Sequence, residues 1–162
     1  MKIVLATNAL VSDRLQAHGN SGLILRPVAN GEIALAFDAR ILNEYEEVLL
    51  RPRFRLERYR VEALLDQVRA CGMLVAAPPL ALGLDDPDDE AFVEVAAAAK
   101  VPYLVTGNLK HFRPVEIPGL EILSPAASPP CCPARIGGSP FGAFLHEPHR
   151  RQLPRHRRLS RY

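Results

Sequence analysis

Lys2-Ile3-Val4-Leu5-Ala6-Thr7-Asn8 is the stretch on which the fold of this chain turns. Lys2 to Ala6 is a short, mostly apolar run of β-type residues, the pattern of a first strand buried in a sheet rather than lying on its surface. Thr7-Asn8 then turns the chain. The same pattern returns late in the sequence, where Tyr103-Leu104-Val105-Thr106 forms an apolar strand and Gly107-Asn108 turns away from it. Glu32 to Phe37 reads as a second strand. Met73 to Ala77 reads as a short strand closed by Pro78-Pro79, and Leu120 to Leu123 as the last one.

Helical stretches separate these strands. Gly19-Asn20-Ser21-Gly22 is a loop, and Ser21 is placed to cap a helix running to Asn30-Gly31. Asp38 has the side chain of a good N-cap. Behind it, Ile41, Tyr45, Val48 and Leu49 recur at helical spacing with Glu44, Glu46 and Glu47 among them, and Pro52 ends the run. Glu57 to Cys71 is a further helix with Val61, Leu64, Leu65 and Val68 on one face, and Gly72 stands at its C-terminal stop. Leu84-Asp85-Asp86-Pro87-Asp88-Asp89-Glu90 opens an alanine-rich helix, Ala91 to Lys100, that Val101-Pro102 closes. Acidic residues suit a helix start because they face the positive end of its dipole.

Strands alternating with helices imply βαβ units, hence an α/β domain with a central, mostly parallel sheet. In such sheets ligands sit beyond the carboxyl ends of the strands, near the point where strand order reverses. Three polar clusters fall at such places: Ala6-Thr7-Asn8, Asp85 to Asp89, and Thr106-Gly107-Asn108.

Composition bounds the rest. The 162 residues suit one domain, and an apolar fraction of 48% supplies a core. No apolar run approaches the roughly 18 residues needed to span a bilayer, and the opening Met1 to Leu5 is too short for a signal peptide. The expectation is a cytoplasmic protein with no membrane partner. Cys71, Cys131 and Cys132 form no CxxC pair and a poor disulfide framework, and Cys71 reads as a buried small hydrophobe.

The net charge of +2 hides a division. Residues 1–123 carry 13 Lys and Arg against 17 Asp and Glu, a net of −4, while residues 124–162 carry seven Arg and one Glu, a net of +6. The later segment holds seven of the 15 prolines and shows no helical or alternating period. It reads as a disordered Pro/Arg-rich tail. Its Arg155-His156-Arg157-Arg158 stretch either touches RNA phosphates or is simply solvated.

Four motifs, in order, resemble the PIN-domain family, and within it the VapC-like toxins of toxin–antitoxin systems. They are Met1 to Ser12; Ile41 to Leu49 with the following Arg51-Pro52-Arg53-Phe54; Asp86-Pro87-Asp88-Asp89-Glu90-Ala91-Phe92; and Tyr103 to Phe112. The resemblance covers Met1 to about Pro125 and implies a PIN-like three-layer α/β/α domain over 1–123. It further implies an endoribonuclease that holds Mg²⁺ or Mn²⁺ on carboxylates, acts on RNA, forms a homodimer and is blocked by a cognate antitoxin protein. Hard divalent ions take oxygen ligands, activate water and offset phosphate charge, so acids from several elements must converge.

The positions matching the family's site are Ala6, Glu44, Asp89 and Asn108, with Asp86 and Asp88 beside Asp89 as further metal ligands. Thr7, Asn8 and Thr106 match positions that hold the ligands in place. Two departures stand out. Ala6 lies where the family has its first aspartate, and Asn108 lies where aspartate is common. Fewer opposing charges mean weaker cation affinity, so the resemblance leaves open a catalytically dead protein that still binds antitoxin or RNA. A nucleotide-binding α/β domain is a third reading, without a Gly-rich phosphate loop to support it. His111, His146 and His149 read as surface histidines, and no ligand pair complements His146 and His149 for zinc.

Overall fold

A computed structural model describes residues 1–11 and 32–127 of the chain. Among these residues five strands form one sheet in the order β3-β2-β1-β4-β5, every neighbouring pair parallel. The strands are β1 (Lys2–Leu5), β2 (Ala34–Phe37), β3 (Met73–Leu74), β4 (Tyr103–Val105) and β5 (Glu121–Leu123). The helices are α1 (Thr7–Leu10), α2 (Ala39–Leu49), α3 (Arg58–Cys71) and α4 (Pro87–Ala99). The parallel sheet is what the alternation of strands and helices implies, and the α/β/α arrangement is what the family resemblance implies.

The central strand explains why its sequence is apolar without alternation. Ile3, Val4 and Leu5 are all buried, because a parallel strand is covered on both faces. Helix α4 lies along β1, β2 and β4, while α2 and α3 pack on each other and on β2. Tyr45, Phe92, Leu35, Ile41, Leu49, Leu65 and Leu104 fill the space between. The buried Tyr45 hydroxyl donates to the Leu5 carbonyl and so ties α2 to the last residue of β1.

Helix boundaries follow local chemistry. Asp38 caps α2, its Oδ1 accepting from the Ile41 N–H at 3.0 Å, as expected. Asp86 caps α4, accepting from the Asp88 N–H at 3.1 Å, with Pro87 in the first turn where a missing N–H costs nothing. Lys100, in the left-handed region at φ 51°, ends α4 one residue before the expected Val101-Pro102 stop. Gly72 stops α3 where expected, by close approach rather than by a left-handed turn. Its backbone is extended, and a Cβ there would stand 2.5 Å from the Val68 carbonyl oxygen and 2.7 Å from that of Leu35. Glycine is needed for close approach to β2.

Other expectations move by a few residues. Thr7-Asn8 does not make a simple turn but opens α1, whose first N–H partner is the Ala6 carbonyl. The third strand stops at Leu74 because its partner β2 ends at Phe37, where the chain enters the Asp38 cap. The second strand starts at Ala34 rather than Glu32, and the last at Glu121 rather than Leu120. Cys71 is half-buried and lies 3.1 Å from the Gln67 side-chain amide, not sealed in the core. Pro125–Ala127 forms a single 3-10 turn. The loop and helix expected over residues 19–31, Cys131 and Cys132, and the rest of the tail lie outside the described residues.

Candidate metal centre

The sheet order sets where the site must be. From β1 the chain steps to β2 and β3 on one side, then returns to β4 and β5 on the other, so the carboxyl ends of β1 and β4 flank a topological switch point. Asn8, just past β1, bridges that gap. Its Oδ1 accepts from the Gly107 N–H at 2.7 Å and from the Thr106 hydroxyl at 3.2 Å. Thr106, fully buried, in turn accepts from the Asn108 N–H at 3.1 Å. These hydrogen bonds tie the chain just past β1 to the turn that leaves β4.

Glu44 reaches the same region from the middle of α2, and Asp86, Asp88 and Asp89 from the start of α4. The groups feel one another. Burial pushes the Glu44 carboxyl above its ordinary value of 4.5; Thr7 works against that shift, and the charges of Asp88, Asp89 and Asp86 add to it. Burial likewise raises Asp89, His111 opposes the rise, and Asp86 and Asp88 add to it. Carboxylates forced together in this way are relieved by a cation.

Asp86, Asp89 and His111 each offer a ligand atom, and these atoms lie within 4.8 Å of one another. Glu44 and Asp88 fall outside this tight group. Asp88 is exposed at the first turn of α4, whereas Asp89 is 8% exposed and faces inward. Ala6 is buried at 1% exposure and presents a methyl group at the end of β1. Thr7 Oγ1 is, among the described residues, the buried side-chain oxygen without a hydrogen-bond partner: its geometry toward Glu44 falls short of a bond even as it favours the charged carboxylate.

His111 is the residue that sequence reasoning missed. It was expected on the surface, yet its Nδ1 stands 2.7 Å from Asp89 Oδ2. Successive turns from Asn108 to Phe112, anchored by the buried Phe112, fold it back over α4. The signal was its place three residues beyond Asn108, within the turn that leaves β4.

The donor set fits a divalent cation: three carboxylates in mutual repulsion, an imidazole, and an unsatisfied buried hydroxyl beside them. A parallel sheet with acids gathered beyond its switch point defines the class, an α/β protein with a candidate acidic metal centre. The chain belongs to the PIN domain family, whose pattern matches residues 2–110, more than half of its length. Among solved structures it is similar to VapBC2 from Rickettsia felis, bound there to a DNA fragment from their promoter. The identity is 18% and the TM-score 0.53, over 76% of this chain and 98% of that one, a likeness of fold. No curated protein matches the chain in sequence. Among the described residues no helix is long and apolar enough to cross a membrane.

Proposed function

We propose that this chain is a metal-dependent RNA endonuclease of the VapC toxin type, weakened at its own active site. The reading further takes residues 1–123 as the PIN-like domain, a homodimer as the assembly, the cytoplasm as the location, and a cognate antitoxin protein as the inhibitor. The carrying observation is the convergence of Glu44, Asp86 and Asp89 beyond the ends of β1 and β4 in a PIN-family chain. The antitoxin draws support from the similar fold of VapBC2.

In this reading Glu44, Asp89 and Asn108 hold Mg²⁺ or Mn²⁺, with Asp86 and Asp88 adding negative charge. Once bound, the ion activates water and offsets charge on the scissile phosphate. The chain's own residues do the positioning. Asn8 and Thr106 fix the strand ends, and Thr7 steadies the Glu44 carboxylate. Ala6 removes one charge from the set, which lowers cation affinity and with it turnover.

That same methyl group favours a second reading, a protein that binds RNA or antitoxin without cutting. Cleavage of structured RNA with Mg²⁺ or Mn²⁺, by the chain as it stands and by Ala6→Asp, separates the two. Weak cleavage that Ala6→Asp strengthens supports the nuclease. A folded Ala6→Asp protein that cuts nothing overturns it.

A further inference from the structure

Ala6, buried just past β1, presents a methyl group where the family resemblance expects an acidic donor. The turn after β4 brings in a donor of a different kind. His111, half-buried, has Nδ1 2.7 Å from Asp89 Oδ2, and Asp86 completes a set within 4.8 Å. Ligands that share one ion through bonds of about 2.1 Å stand roughly 3.0–4.2 Å apart. A small rotation of the exposed Asp86 closes the set. His111 and Asp89 need to part by only a few tenths of an ångström for both to reach one ion.

A second observation points to a ligand here. Thr7 is 4% exposed, and its Oγ1 has no hydrogen-bond partner while it acts on the Glu44 carboxylate. A buried hydroxyl is seldom left unpaired. Water carried by a cation held at this cluster would supply the missing partner.

We propose that an imidazole nitrogen of His111 stands in for the carboxylate absent at Ala6 and makes this a mixed nitrogen–oxygen site that favours a transition-metal cation such as Mn²⁺ over Mg²⁺. The inference rests on the preceding reading only in taking the cluster as a divalent-cation site. Mg²⁺ is hard, holds its waters and selects oxygen, whereas imidazole is a ligand of transition metals. A neutral donor in place of a charged one therefore weakens Mg²⁺ binding more than it weakens Mn²⁺ binding.

The test is pulsed EPR of the Mn²⁺-loaded full-length chain, with competitive Mn²⁺ and Mg²⁺ titrations. The unmodified protein should show coupling from a directly bound ¹⁴N, and His111→Gln should lose it. That variant, checked for folding by circular dichroism, should bind Mn²⁺ about 10-fold or more weakly, in the range set by lost metal-site partners, while its Mg²⁺ affinity moves less than about 3-fold. Ala6→Asp, which leaves His111 in place, should narrow the preference for Mn²⁺. Absence of ¹⁴N coupling in the unmodified chain, equal losses for both ions in His111→Gln, or no Mn²⁺ binding overturns the proposal. Coupling without RNA cleavage by Ala6→Asp sinks the nuclease reading and leaves this one standing.

Discussion

Asn8 Oδ1 accepts the Gly107 N–H at 2.7 Å, joining the end of β1 to the turn that leaves β4. The same oxygen takes the hydroxyl proton of the fully buried Thr106. One side chain thus satisfies two donors just beyond the Ala6 N–H to Val105 carbonyl bond that ends the β1–β4 ladder. Asn8→Ala leaves both without it and should lower stability by about 1–3 kcal/mol, the range for orphaned polar groups. Denaturant unfolding checks this, with Asn8→Asp, which keeps the acceptor, losing less.

A second long-range tie lies outside the site. Arg40 Nη1 meets Glu94 Oε2 at 2.7 Å, and Arg40 also pairs with Asp38 at 2.7 Å. Glu94 is 2% exposed, and its other oxygen accepts the Leu80 N–H at 2.8 Å. Removing one member of a buried pair strands the other charge, although the half-exposed Arg40 lets solvent screen part of the loss. Arg40→Met should therefore cost about 1–3 kcal/mol in chemical unfolding, and the Arg40→Met/Glu94→Gln pair less than the sum of its single changes.

Gly72 leaves no room for a side chain between α3 and β2. A methyl group there meets two backbone carbonyl oxygens at 2.5 and 2.7 Å. Gly72→Ala should destabilise the fold by about 1–3 kcal/mol, as overpacking does, and thermal melts report it.

Metal-free stability should depend on pH through the acidic cluster. Glu44 and Asp89 both titrate above their ordinary values in the folded protein, chiefly because they are buried. A carboxyl whose folded pKa is raised stabilises the fold while protonated and loses that contribution as pH rises through the folded value. The part of Tm owed to these groups should fall as pH climbs from the ordinary carboxylate range. Glu44→Gln should flatten that decline and raise Tm at neutral pH without metal. A steeper decline in Glu44→Gln contradicts the account.

The central strands are legible in residues 2–6 and 103–106, because strands buried on both faces read as short apolar runs. The Asp38 cap and the Ile41, Tyr45, Val48 and Leu49 face read directly for the same reason: helix periodicity and capping are local properties. The role of Gly72 was not local. Its constraint comes from Leu35 on another strand, so the sequence marks the helix stop but not the close approach that requires glycine. His111 escaped for a similar reason. A lone histidine says nothing until the turn anchored by Phe112 lays it against Asp89, 22 positions away.

The central claim, that acids from α2 and α4 form a divalent-cation site, is tested most directly by calorimetric titration of Mn²⁺ into the chain as it stands, Ala6→Asp and Asp89→Asn. One site is expected, tighter in Ala6→Asp and at least about 10-fold weaker in Asp89→Asn. No binding by a folded Ala6→Asp protein, or undiminished binding by Asp89→Asn, would contradict it.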